Sequence, residues 1–258
     1  MLHRFLKSAA FVAAGILFSG SVQATPVNGT GLVTPEVIFG SGNANGSFTG
    51  VNTGDVELGL RGKVRYNSGG LPEHTFNYDG DRTYTFSPAS SNAPSNRSAF
   101  NFEWSINTNT SGASSYFLDD LTYLLEIDLN PTSGTSFVSF DPVNQLYVDN
   151  ALGDNSTGNG GGTVAPGAVA YALGIATQNV AQNSWNLGFF TPGWVDPQAE
   201  GLYTINLSAA LNGNVIASTS IDIQYGITPV PVPAALPLLA GGIAAFGFVG
   251  WRRRKTQA

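Results

Sequence analysis

Carboxylates are the most plentiful groups in this chain with catalytic chemistry, and two of them, Glu126 and Asp128, occupy alternate positions in one alternating stretch. On a strand both would leave the same face, with Cα atoms about 6.6–6.8 Å apart. That matches the roughly 6.5–9.5 Å between carboxyl groups that an inverting glycosidase needs for its acid and base. Any strand with a solvated polar face gives the same spacing, so a plain solvent-facing pair is the competing reading. His74 lies in the turn-like Gly69-Gly-Leu-Pro-Glu-His74, and the other histidine, His3, belongs to the N-terminal leader. A Ser-His-Asp triad would have to use His74, but no nucleophile elbow accompanies it. It reads as an exposed loop histidine, and no catalytic residue is assigned.

Oxygen-rich turns offer a second chemistry. Asp79-Gly-Asp81, Asp119-Asp120 and the stretch from Asp149-Asn150 to Asp154-Asn155 lie where cations are few. Calcium takes six to eight such oxygens, and Asp149, Asn150 and Asp154 are the candidate ligands for a structural ion. Asp and Asn are also ordinary turn residues. Trp194, between Pro192-Gly193 and Val195, is a candidate for stacking on a sugar or for capping the edge of a domain. The chain has no Cys, so disulfides, Cys-ligated metals and a Cys nucleophile are excluded.

Charged residues make up 11% of the chain, against about a quarter in ordinary globular proteins. All 17 carboxylates lie between Glu36 and Asp222, and five cations accompany them there: Arg61, Lys63, Arg65, Arg82 and Arg97. That region carries a net charge of −12, and from Ser98 to Gly226 there is no Lys or Arg. Such a surface repels a phosphate backbone, so nucleic acid is not an expected partner. Gly, Asn, Ser and Thr replace the missing charges, which suits a turn-rich β protein.

Period-two alternation predicts the elements that must hold these groups. In Val56–Tyr66 the even positions are apolar or Gly, while Glu57, Arg61, Lys63 and Arg65 are expected to face water. Phe100–Asn107 and Leu121–Leu129 alternate as cleanly. Further strands are expected at Tyr84–Phe86, Phe137–Phe140, Leu146–Val148, Val169–Ile175, Asn183–Phe189, Leu202–Leu207 and Val215–Tyr225. No helical period persists between Thr25 and Gly226. The expected fold is all-β: one antiparallel β-sandwich over 25–226, in jelly-roll form or otherwise.

The ends carry addresses. Residues 1–24 have a basic head (Arg4, Lys7), an apolar run and small residues before Ala24, the layout of a secretory signal peptide. Residues 227–233 form a Pro-rich spacer. The uncharged run 234–251 would span about 27 Å as a helix, the lower edge of a bilayer crossing. Arg252, Arg253, Arg254 and Lys255 in the tail 252–258 would then stay cytoplasmic. Val230-Pro231-Val232-Pro233, the apolar run and the basic cluster together resemble the PEP-CTERM sorting signal of Gram-negative exporters, with Val232 at the motif's usual glutamate. The resemblance covers the last thirty or so residues. It implies export through the inner membrane, anchoring by the C-terminal helix, processing by an exosortase-like membrane enzyme, and a setting of exopolysaccharide and biofilm. A permanent tail anchor is the competing reading of this segment. For the outer domain the leading expectation is a non-enzymatic surface or matrix protein. The alternatives are a carbohydrate-binding module using Trp194 and a secreted glycoside hydrolase using Glu126 and Asp128.

Overall fold

Alternation is borne out where it is cleanest. Phe100, Phe102, Trp104 and Ile106 leave one face of their strand, Leu58 and Leu60 leave that of its neighbour, and all six are fully buried. The computed structural model describes residues 24–132, 134–144, 149–190 and 196–227. Within them the strands are β1 (Val27–Gly31), β2 (Phe48–Thr53), β3 (Val56–Val64), β4 (Tyr78–Gly80), β5 (Thr83–Phe86), β6 (Phe100–Asn107) and β7 (Thr122–Asp128). They continue as β8 (Phe137–Phe140), β9 (Ala151–Gly153), β10 (Thr163–Val164), β11 (Val180–Asn186), β12 (Gly201–Leu211) and β13 (Asn214–Tyr225). One helix, α1 (Ala168–Ile175), interrupts them.

Among the described residues the strands form a seven-stranded sheet, β1-β2-β3-β6-β11-β9-β10, and a six-stranded sheet, β4-β5-β13-β12-β7-β8. The inner faces share one core, in which Phe100, Phe102, Leu58 and Leu60 meet Tyr203, Ile205, Ile221 and Ile223. Burying each such side chain stabilises the fold by about 1.5–3 kcal/mol. The long β12–β13 hairpin turns at Asn212–Gly213, with φ of 51° and 79°. Two consecutive left-handed residues are what a type I′ hairpin demands, and Asn-Gly supplies them at least strain.

Three expectations about the strands are corrected. Val169–Ile175 forms most of α1, not a strand. Its Val/Tyr/Leu/Ile alternation is carried on Ala, a strong helix former, and Tyr171 alone is buried, its hydroxyl donating to Val143 O at 2.9 Å. The strand expected over Asn183–Phe189 ends at Asn186 and is followed by a 3-10 turn. There the Asn186 side chain accepts from Gly188 N at 3.0 Å, which turns the backbone out of the ladder. Lastly, β5 runs parallel to β13, so the second sheet is mixed rather than purely antiparallel. The strand expected at Leu146–Val148 lies outside the described residues, as do both apolar ends.

The largest correction concerns the cations of β3. Arg61 is 0% exposed and Lys63 8%, and on β6 the facing Asn101, Glu103, Ser105 and Asn107 are all buried too. Register explains how polar side chains fill this outer face in rows. Glu57 stands opposite Asn107, Arg61 opposite Glu103 and Lys63 opposite Asn101, while Gln182 of β11 stands opposite Ser105. What covers them is the chain from Leu32 to Ser47, lying across the sheet as a strap. Thr34 N donates to Glu57 Oε1 at 2.6 Å, and Asn107 Nδ2 donates to Thr34 O at 2.9 Å. Gln182 accepts from Ile38 N at 2.7 Å and donates to Glu36 O at 2.8 Å. Arg61 donates to Ala44 O and Gly46 O at 2.9 and 2.6 Å. Three of these four rows therefore satisfy backbone groups of the strap, which a loop lying on a sheet could not otherwise pair, and Lys63 reaches the strap through the Asn43 side chain. Gly59 permits the close approach, because a Cβ there would stand 2.9 Å from Val33 Cγ1.

The Arg61 guanidinium reaches Glu103 Oε2 through Nε and Nη2, both at 2.6 Å, and lies 4.2 Å from the ring centroids of both Phe48 and Phe76. Removing one member of a buried ion pair strands the other charge. Arg61→Ala should therefore lower unfolding free energy by about 3–5 kcal/mol. Arg82→Ala, which loses the half-exposed pair with Asp222, should cost under about 1 kcal/mol. Urea midpoints of the two variants check the contrast.

Burial holds the Glu57 carboxyl above its ordinary value, against the lowering pull of its bonds from Thr34. The folded chain thus binds this proton more tightly than the unfolded chain, and stability falls as pH rises through the interval between the two values. Glu57→Gln keeps an acceptor for Thr34 N and removes that loss. Its urea midpoint should change less than the parent's between mildly acidic and neutral pH.

Candidate functional site

The outer face of the six-stranded sheet is built differently. The outward side chains of β12 and β13 are Thr204, Asn206 and Ser208 beside Ser218, Ser220 and Asp222, and all are partly exposed. Glu126 of β7, Asn206 and Ser220 form one cross-strand row. Ser220 Oγ donates to Asn206 Oδ1 at 2.7 Å, and Ser139 Oγ reaches Glu126 Oε1 at 3.4 Å. The loop between β4 and β5 forms the opposite wall. There Asn28 Nδ2 donates to Asp81 Oδ1 at 3.0 Å, and Arg82 Nε donates to Asp222 Oδ2 at 3.0 Å. Between these walls lies an open groove of about 470 Å³, floored by hydroxyls and carboxamides and flanked by Glu126 and the Asp81–Arg82 pair. Such a surface offers closely spaced donors and acceptors to a polar ligand.

Sequence reasoning missed this groove. The signal was present: two alternating polar faces joined by Asn212-Gly213 make the hairpin, and hence the neighbouring rows of Ser, Thr and Asn, foreseeable.

The carboxylate pair separates in role. Asp128 is 4% exposed rather than solvated. Its Oδ1 accepts from Asn130 N at 3.0 Å and Ser136 N at 2.7 Å, clamping the turn into β8. Glu126 stays at the groove wall. His74 is exposed, as expected.

The calcium candidates are divided by β9. Asn150 precedes it and Asp154 follows it, about 13 Å apart along extended chain, whereas one ion holds its oxygens at about 2.3–2.6 Å. Asn150 is fully buried, and its amide donates to Pro142 O at 2.8 Å and Tyr171 Oη at 2.9 Å. Its Oδ1 accepts from Asn183 Nδ2 at 2.9 Å, while Asp149, exposed, accepts from the same amide at 3.3 Å. Asp154 folds back on its own turn, accepting from Ser156 Oγ at 2.6 Å and Ser156 N at 2.8 Å, and these bonds hold its carboxyl below the ordinary value. In the other acidic turns Asp120 accepts from Phe117 N at 2.8 Å, and Asp79 accepts from the Thr85 hydroxyl. Among the described residues no three His, Asp or Glu side chains are grouped to hold a metal ion.

Trp194, the sorting residues Val230, Pro231, Val232 and Pro233, and the cap Arg252, Arg253, Arg254 and Lys255 lie outside the described residues. Within them no helix is long and apolar enough to cross a membrane. Trp185 and Phe190, near Trp194 in sequence, pack with Phe140 edge to face or tilted at 5.5–6.2 Å. Beside them Phe189 is 56% exposed under the Arg97 guanidinium.

Asp128→Ala should cost about 1–3 kcal/mol, because two partly buried backbone N–H groups lose their acceptor. Glu126→Ala at the groove wall should stay within about 0.5 kcal/mol of the parent, with urea denaturation as the measurement. Compared with known proteins, this chain matches no family model, no curated protein and no solved structure.

Proposed function

We propose that the chain is an exported, non-enzymatic cell-surface or extracellular-matrix protein. A signal peptide over 1–24 directs it outward. The apolar span 234–251 and the cap Arg252–Lys255 hold it in the inner membrane, and an exosortase-like enzyme processes it at Val230-Pro231-Val232-Pro233 in an exopolysaccharide setting. One observation carries this reading. The sandwich closes its core just before the spacer: Tyr225 is 1% exposed, Gly226 N donates to Phe86 O at 2.9 Å, and the first spacer proline is Pro229. In finer topology we read a sandwich of hairpins rather than a jelly roll, since β2–β3 and β12–β13 pair chain neighbours.

The groove supports a second reading, a carbohydrate-binding sandwich. Its hydroxyls and carboxamides match the donor and acceptor pattern of a neutral sugar, and the negative surrounding field does not oppose an uncharged polymer.

Intact mass of the protein recovered from its exporting cells tests the first reading. The expected chain starts near Thr25 and ends near Val230–Pro233, and only when the exosortase-like enzyme is present. A mass that retains Trp251 and the four cations overturns processing. For the second reading, the sandwich should be retarded in gels cast with the host's exopolysaccharide. Asn206→Ala should weaken that binding roughly tenfold, the worth of about 1.4 kcal/mol of hydrogen bonding.

A further inference from the structure

Under the strap, three groups meet that the fold alone does not require to meet. Lys63 Nζ donates to Asn43 Oδ1 at 2.6 Å and stands 3.7 Å from Glu103 Oε1. With a C=O bond of about 1.23 Å, the carboxamide carbon of Asn43 lies within about 3.8 Å of the amine. Asn43 is not free to turn away, because its Nδ2 donates to Phe39 O at 2.7 Å. Glu103 is 1% exposed, with Oε2 held by Arg61, while Oε1 accepts from Ser184 Oγ at 3.2 Å and faces Lys63. An amine, a carboxamide and a carboxylate thus meet under the strap, the amine almost at attack distance.

We propose that Lys63 and Asn43 condense into a side-chain amide that fastens the strap to β3, with Glu103 as the proton acceptor. The neutral amine attacks Asn43 Cγ, forming a C–N bond. The proton it gives up passes through Glu103 to Nδ2, the Cγ–Nδ2 bond breaks, and the nitrogen leaves as ammonia. An amine and a primary amide become a secondary amide and ammonia, and nothing is oxidised or reduced. Burial draws the Lys63 amine below its ordinary value against the opposing pull of Glu103, which favours the form that attacks. Arg61 is a positioning residue that holds Glu103 Oε2 and so aims the carboxylate. Asn43 is only half-buried, so the ammonia has a way out. The bond would close a loop between positions 20 apart. Like a disulfide it would restrict the unfolded chain, but it would do so in a protein with no Cys and without an oxidising compartment.

Tryptic mapping of the chain purified from its exporting cells tests this. The sequence holds no Lys or Arg between Lys7 and Arg61, and the next peptides are Gly62–Lys63 and Val64–Arg65. An amide at Lys63 prevents cleavage after it. The expected product is therefore Gly62–Arg65, uncut, branched onto the peptide that contains Asn43 and ends at Arg61, lighter by one ammonia. Lys63→Arg should restore the full mass and the linear peptides. Glu103→Gln should slow formation of the branch by roughly 100-fold or more. The parent map decides even if a variant does not fold. Release of free Gly62–Lys63 from the parent overturns the proposal. So does an ammonia loss that maps to an Asn closed on its own backbone, or one that persists in Lys63→Arg.

Discussion

The structure depends on how two charges are kept out of water. Arg61 and Glu103 sit opposite each other on β3 and β6, exposed 0% and 1%, on a sheet face that would ordinarily be solvated. Desolvating them costs several kcal/mol per ion, and their mutual attraction offsets this only when every remaining donor and acceptor finds a partner. The strap supplies Arg61 with Ala44 O and Gly46 O, Ser184 Oγ donates to Glu103 Oε1, and Phe48 and Phe76 supply ring faces. The strap in turn is held because Glu57, Asn107 and Gln182 satisfy its own backbone groups. Neither layer is satisfied without the other. The two faces of this sheet are therefore buried for different reasons, one by apolar packing and the other by mutual polar satisfaction.

That division gives the molecule two distinct outsides. One sheet turns its polar face into a sealed interior layer. The other leaves Thr204, Asn206, Ser208, Ser218 and Ser220 at a groove open to solvent. The described strand order ends with β13, whose last residue, Tyr225, is 1% exposed in the shared core.

Much of the β framework was legible because an inner face was strictly apolar. Phe100–Asn107 and Phe137–Phe140 were read to the residue, and β5 and β13 nearly so. What failed was the inference that polar alternates face water. Alternation reports that a strand has two unlike faces, and it is silent on what covers the second one. The strap's contribution was invisible, since Leu32–Ser47 carries no period and its partners lie up to 146 positions away. α1 misled because one anchored side chain, Tyr171, outweighed an apparent period of two. Among site residues, Asp128 and Asn150 looked available because turn residues and ligands are the same residue types. Only the hydrogen bonds they make within the fold separate the two.

Native-state hydrogen exchange at the Thr34 and Ile38 amides tests the sealed polar layer most directly. These amides belong to a loop, yet they donate to Glu57 and Gln182 beneath the strap. If the strap and the buried charges depend on each other, both amides exchange as slowly as those of β3 and β6, through global opening. Exchange of Thr34 and Ile38 at the rate of an unprotected loop, with β3 and β6 still protected, would contradict the account.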